Sequence, residues 1–395
     1  MYKSYDGIKE IMNGIIKHGY FSQFADKKVY YFTDNHNNRA FVQLTEQGFK
    51  GLYCIHIFYN ESSLNYMHDV LISKDDDLLY NTYGMTEELI LAVESKEDVD
   101  ELDKLFLKNM GSRTKEENNY IIYSFKRGEG YSIANFDEVD TFISWLEVLY
   151  SMYRNNYKEL ISFANQEENG FEAILVDVDK DLCNYVIEYA TLPKLERMPK
   201  KRKCFKSFKE EYETKEKNAG ECVLMFNYLP SVVLETNNRV GIINTYYKDS
   251  DEGLSTYVYE SIKDYNKVIF GMLDHLFANI GVPSKIIIND RILYSSIART
   301  MEELGIEIEF TKDLPEYVDF IKEPMISMLK NVIDRVLPKF IIEKVLSKIN
   351  ELEYDKFDEI LASDDLFDKD KSEDDDLDEL GLLDSDFDNS TDLVS

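Results

Sequence analysis

Between Pro283 and Pro315 the hydrophobic pattern of the chain changes period twice. Lys285 to Ile288 is an unbroken β-branched run, as in a strand buried on both faces. Ile306, Ile308 and Phe310 alternate with Glu307 and Glu309, as in a strand with one wet face. Between these runs Leu293, Ile297, Met301 and Leu304 recur at helical spacing, with Asp290 at the N-cap position and Gly305 where a left-handed residue ends the helix. This order predicts two parallel neighbours, Ile286 beside Ile308, joined by a right-handed helical crossover.

The same reading extends toward the N-terminus. Ile8, Ile11, Met12, Ile15 and Ile16 form the apolar stripe of a helix over 6–17, closed at Gly19. Runs at 29–32, 40–44 and 52–58, separated by turn-forming clusters, predict an antiparallel meander, and 88–93 and 120–125 add strands. Residues 95–98 have capping-box character ahead of a helix with Val99, Leu102, Leu105 and Phe106 inside. Asn135 and Glu138 cap a long helix whose inner face is Val139, Phe142, Ile143, Leu146, Leu149 and Tyr150, with Trp145 beside it. Runs at 171–178 and 182–189 read as a hairpin, and 222–228, 231–235 and 241–247 resume strand character. A stripe from Ile262 to Ile280 predicts a helix, and two more are expected at 324–336 and 339–350, split at Pro338.

The fold expected is α+β, or mixed α/β, in four parts. An α+β domain spans 1–155, and a linker at 156–221 carries the hairpin and a basic segment. A mixed-sheet domain with the βαβ unit and terminal helices spans 222–350, and a disordered acidic tail fills 351–395.

The region 222–322, through Gly-Val-Pro-Ser-Lys-Ile-Ile-Ile-Asn-Asp-Arg and Leu-Gly-Ile-Glu-Ile-Glu-Phe-Thr-Lys-Asp-Leu-Pro, resembles an uncharacterised bacterial domain of unknown function. Residues 1–155 are similar to the uncharacterised domain that usually precedes it. The resemblance implies a bacterial origin and a two-domain layout, and it brings no activity with it.

Charge sharpens this picture. The 395-residue chain has a formal net charge of −31, and residues 351–395 hold 19 acidic against 3 basic side chains. Such a surface repels phosphates and anionic lipid, which disfavours nucleic acid and membranes as partners. No stretch approaches the roughly 20 apolar residues of a membrane span, and the chain opens into an amphipathic helix rather than a signal peptide, so a cytoplasmic location is expected. Cys54, Cys183, Cys204 and Cys222 are scattered and read as reduced thiols.

Phosphate-binding glycine loops, a Gly-x-Ser-x-Gly elbow and a His-Glu-x-x-His pair are missing from the sequence, and His18, His36, His56, His68 and His275 never fall at metal-ligand spacing. No cofactor is expected. Three features remain as candidates. Asp177 and Asp290 each sit at or near the end of a β-run, where paired carboxylates could hold magnesium in a nuclease or phosphotransfer enzyme resembling the ribonuclease H class; a hairpin turn and a helix cap explain them equally well. The basic segment from Lys194 to Lys209, with Lys201, Arg202, Lys203, Phe205 and Phe208, could contact single-stranded nucleic acid or the chain's own acidic tail. In that tail Leu380, Leu382, Leu383 and Phe387 stand among aspartates, a composition suited either to solubilising or to docking on a basic protein surface. The reading preferred from the sequence is a non-catalytic cytoplasmic binding or regulatory protein acting through protein–protein contacts; the alternative is the divalent-metal nuclease.

Overall fold

Strand pairing in the chain resolves into two mixed sheets. The computed structural model describes residues 5–311 apart from 26–27, 48–51, 61–62, 66, 68–86, 113–116, 167–171, 180–183, 192–200, 218, 234–235, 249–254 and 260–264. The expected helices at 324–336 and 339–350, the acidic tail, His68 and Cys183 lie outside the described residues.

The first sheet begins with an antiparallel meander of β1 (Val29–Asp34), β2 (Arg39–Gln47), β3 (Leu52–Phe58), β4 (Glu88–Ser95), β5 (Asn118–Phe125) and β6 (Ser132–Ile133). Its helices are α1 (Tyr5–Lys17), α2 (Tyr20–Phe24), α3 (Glu101–Asn109) and α4 (Phe136–Ala164). The expected stripes are the ones buried: Ile8, Ile11, Met12 and Ile15 of α1, and Val139, Phe142, Ile143, Trp145, Leu146 and Leu149 of α4. Trp145 packs on Phe32 at 5.8 Å between ring centroids, and the buried Tyr153 hydroxyl donates to that of Tyr30 at 3.1 Å. Gly19, at φ 67°, turns the chain out of α1 in the left-handed conformation its position predicts.

Two expectations for this half are corrected. The capping box of α3 is Asp100 with Asp103, not residues 95–98: Asp100 accepts from the Leu102 and Asp103 amides, while the Ser95 hydroxyl donates to Asp98 within a turn. Helix α3 therefore starts later, and Leu105, expected inside, is 46% exposed while Phe106 and Leu107 are buried. The larger correction concerns 156–221. The hairpin β7 (Glu172–Asp179) and β8 (Asn184–Thr191) is no linker, because β7 pairs in parallel with β1, Tyr30 opposite Ile174 and Phe32 opposite Val176. The eight-stranded order is β6-β5-β4-β3-β2-β1-β7-β8. The cause is edge satisfaction: β1 would otherwise present a bare row of amides and carbonyls, and Ala173, Ile174, Val176 and Val178 are apolar enough to be buried beside it.

The second sheet is β9 (Glu221–Val233), β10 (Asn238–Tyr247), β11 (Ser255–Tyr259), β12 (Lys285–Ile288) and β13 (Glu307–Phe310), in the order β11-β10-β9-β12-β13. It is backed by α5 (Lys206–Tyr212), α6 (Tyr265–Asn279) and α7 (Arg291–Glu303). β9 to β11 are antiparallel, whereas β12 runs parallel to both β9 and β13. Ile286 faces Ile308 in register, as the sequence pattern requires, and α7 buries Leu293, Ile297, Ala298 and Met301 against the sheet. Each fully buried Leu or Ile of this kind contributes about 1.5–3 kcal/mol. Gly305, at φ 75°, ends α7 as expected. β9 is one strand across the two runs expected at 222–228 and 231–235, while β11 and α5 have no counterpart among the sequence expectations. Both sheets fall within one compact unit, Met1–Leu346.

Candidate functional site

In an open α/β sheet the place to look for a ligand is beyond the carboxyl ends of the parallel strands, where the chain order reverses. Here that point lies between β9, whose next strands extend the sheet to one side, and β12, reached by crossing to the other. β12 stops at Ile288, opposite Leu224, while β9 runs on. The Asn289 side chain prolongs the pairing by accepting from the Phe226 amide at 2.9 Å. Asp290 then turns the chain into α7, its Oδ1 accepting from the amides of Ile292 at 3.0 Å and Leu293 at 2.8 Å. This is the N-cap expected from the sequence.

The second carboxylate oxygen of Asp290 has a partner the sequence did not suggest. Arg127, from the turn after β5 in the first sheet, places Nη2 2.6 Å from Oδ2, with side-chain exposures of 10% for Arg127 and 2% for Asp290. The guanidinium lies 5.8 Å from the centroid of the Phe226 ring and 5.9 Å from that of Tyr228, within cation–π reach of both. The turn is tied to the start of β10 as well. The Arg239 amide donates to the Gly128 carbonyl at 2.8 Å and its Nε to the Glu129 carbonyl at 3.1 Å, while the Gly130 amide donates to the Asn237 carbonyl at 2.8 Å. A Cβ on Gly130 would collide with the Asn237 side chain, so glycine is what permits this approach.

Just before Arg127, Lys126 pairs with Glu138 at 2.9 Å, and Glu138 also accepts from Ser124 and from the Asn135 amide as the N3 residue of the α4 capping box. Burial works to raise the Glu138 carboxyl, but the Asn135, Lys126 and Ser124 hydrogen bonds outweigh it and hold the group below the ordinary glutamate value. A carboxyl depressed by folding contributes stability above its unfolded pKa and loses it as pH falls through the folded value. Glu138→Gln should therefore lose less stability than the wild-type chain as pH is lowered from about 5 toward 3. Urea unfolding at stepped pH measures this, and parallel pH profiles would refute it.

Arg239 is 2% exposed, and burial, opposed by the Tyr228 phenol, lowers its pKa to about 10. The Tyr228 phenol is pushed up to about 12 by burial, against the pull of Arg127. Tyr259 reaches the same region across Gly241, where an added Cβ would lie 2.9 Å from its ring, and burial raises its phenol further. Sequence reasoning missed Arg127, Tyr228, Arg239 and Tyr259. Gly128 and Gly130 marked a turn, but nothing local identified a partner 163 positions away.

The other sequence candidates are dispersed. Asp177 is exposed on β7 in the first sheet, beside a depression of about 170 Å³ lined also by Tyr31, Thr33, Leu175, Val186 and Glu188. Asp290 belongs to the second sheet, so the proposed carboxylate pair does not span neighbouring strand ends. The described part of the basic segment packs on the helices. Lys201 pairs with Glu302 and Lys209 with Glu303, the Arg202 amide donates to the Ser295 carbonyl, and Phe205 stacks on Phe270 at 4.5 Å. Phe208 is buried and Phe205 is 40% exposed, so these rings serve the core first. The groove above them, about 640 Å³, is lined by Lys203, Lys206, Lys209 and Arg299 but equally by Glu210, Glu213 and Glu303. Its Cys204 thiol is raised by burial and by the Glu303 hydrogen bond, the opposite of an activated thiolate. Lys194, Arg197 and Lys200, with Leu380, Leu382, Leu383 and Phe387, lie outside the described residues.

Elsewhere, His56 bridges three strands, Nε2 3.1 Å from Thr45 Oγ1 and Nδ1 3.0 Å from Glu88 Oε2. The order hydroxyl, imidazole, carboxylate is that of a nucleophile relay, but Thr45 is 4% exposed in mid-strand and closed to substrate. The arrangement ties β2, β3 and β4 together.

Residues 211–325 match a domain of unknown function (DUF6930). The match covers the second sheet from the end of α5 onward and agrees with the resemblance noted for that region. No curated protein matches the chain. Among solved structures, a chain of the cryoEM structure of the simian T-cell lymphotropic virus intasome in complex with PP2A regulatory subunit B56 gamma is 16% identical, with a TM-score of 0.21, over 35% of this chain and 50% of that one. The chain thus spans half the length of that relative, and a likeness at this TM-score carries no argument. Among the described residues, no group of three or more His, Cys, Asp or Glu is arranged to hold a metal ion, and no helix is long and apolar enough to cross a membrane.

Proposed function

We propose that this is a non-catalytic cytoplasmic binding or regulatory protein of bacterial type, acting through protein–protein contacts, with the acidic and apolar segment 351–395 engaging a partner that carries a basic surface. The supporting observation is Arg127. At the switch point, where an α/β sheet ordinarily offers its chemistry, the carboxylate of Asp290 is already bound by a guanidinium and two helix amides, and the space is used to join the two sheets. A protein built this way presents surfaces. The pairing of Lys201 and Lys209 with α7 also favours an external partner for the acidic segment over the chain's own basic stretch.

The second reading, a magnesium-dependent nuclease, draws on the sheet itself: three antiparallel strands extended by two parallel ones, as in the ribonuclease H class, with Asp290 at the parallel end. One pair of experiments separates them. Deleting 351–395 should remove the partners that the full chain captures, and an unchanged partner set would count against the first reading. Incubation of the full chain with magnesium and single- or double-stranded nucleic acid should give no cleavage. Magnesium-dependent cleavage that Asp290→Asn abolishes would install the second reading instead.

A further inference from the structure

Three of the four strands that end the two sheets are short: β6 has two residues, β11 five and β13 four. The fourth, β8, is eight residues long and pairs with β7 in unbroken register from Asn184 to Thr191. Among the described residues no strand pairs with its outer side. Edges of this length are commonly guarded by lysine, proline or a bulge, because a bare row of amides and carbonyls recruits another strand. β7 and β8 contain no lysine, arginine or proline, and Val186 stands 69% exposed. An unguarded edge of this kind is an interaction surface.

We infer that β8 is a docking edge for an extended segment of a partner protein in which Lys or Arg alternates with apolar residues, added to the first sheet as a further strand. The two faces of the β7–β8 hairpin select this chemistry. On one face Asp177 lies opposite Val186 and Leu175 opposite Glu188, both carboxylates exposed, around the depression of about 170 Å³. A basic side chain placed opposite Val186 lays its stem across that residue and brings its charge within reach of Glu188 beside it and Asp177 beyond it. On the other face Tyr189 stacks on Phe163 of α4 at 5.9 Å and accepts a hydrogen bond from Lys28 at 2.8 Å, which leaves the half-buried Ile187 as the neighbour for an apolar residue. A second copy of the chain is the poorer occupant, because two such edges bring acid toward acid in a chain of net charge −31. This contact goes beyond the role proposed for 351–395 and does not depend on it.

The probe is a labelled, end-capped peptide of alternating Lys and Val, titrated with the full chain and read by fluorescence anisotropy at about 0.15 M salt, where attraction between distant exposed charges is screened. A peptide of the same composition in Lys-Lys-Val-Val order carries the same charge but scatters both residue types over both faces of a strand. The alternating peptide should bind saturably, and about tenfold or more tightly than the blocked one. Val186→Lys, at an exposed position, should leave Tm unchanged and weaken the alternating peptide by about tenfold or more, and Glu188→Gln should act in the same direction. Glu213→Gln, an equal change of net charge at the exposed end of α5, should leave the affinity within about twofold. Absence of saturable binding, equal affinity for the two peptides, no effect of Val186→Lys, or a dimer of the chain that Val186→Lys dissociates would overturn the assignment.

Discussion

Ile174→Asp is expected to destabilise the protein by more than about 4 kcal/mol, a large share of the 5–15 kcal/mol that holds a typical domain folded. Ile174 is 0% exposed in β7, paired with Tyr30 on one side and Tyr189 on the other. A carboxylate there must either stay charged in an apolar surrounding or bind a proton at neutral pH, and both outcomes favour the unfolded chain, where it is hydrated. Urea unfolding followed by far-UV circular dichroism would show the midpoint fall or the transition vanish. Were residues 172–191 an appended hairpin in a linker, the same substitution would move stability by no more than about 0.5 kcal/mol.

The second large effect is expected at the joint between the sheets. Arg127→Met keeps most of the aliphatic stem and removes the charge, leaving Asp290 ionised at 2% side-chain exposure without its guanidinium. Asp290→Asn does the reverse, and because asparagine caps helices about as well as aspartate, the amides of Ile292 and Leu293 keep an acceptor. Each variant should lose about 3–5 kcal/mol, the usual consequence of breaking a buried ion pair from one side. Asp290→Ala should lose about 1 kcal/mol more, because the cap goes too. Against an exposed pair such as Lys201 with Glu302, where the corresponding loss is near zero, the contrast is one of desolvation rather than of distance.

The parts of this fold legible in the sequence are those decided locally. The Ile286 and Ile308 pairing followed from the period change, the N-cap role of Asp290 from its position before a helical stripe, and the α4 capping box from Asn135 and Glu138 three apart. What was misjudged depends on partners far along the chain. The 172–191 hairpin reads the same whether it floats or pairs with β1, because its own alternation is satisfied either way. Asp177, which looked like half of a metal site, shares its β-run with residues that really are buried, and only the sheet order shows that it and Asp290 belong to different sheets. Arg127 lies in a glycine-rich turn whose neighbours say "exposed loop". Its burial comes from Asp290, Phe226 and Tyr228, none of which is signalled within the local window. The ion pairs of the basic segment were hidden for a related reason: the partners of Lys201 and Lys209 sit on α7, about a hundred positions away.

The measurement closest to the centre of this account is a double-mutant cycle on Arg127→Met and Asp290→Asn, with stability read from urea unfolding of the four proteins. If the guanidinium and the carboxylate hold the two sheets together across the switch point, the double variant should be more stable than the two single losses predict, by at least about 2 kcal/mol. Losses that simply add, within about 0.5 kcal/mol, would mean the two groups do not interact there and would contradict the account.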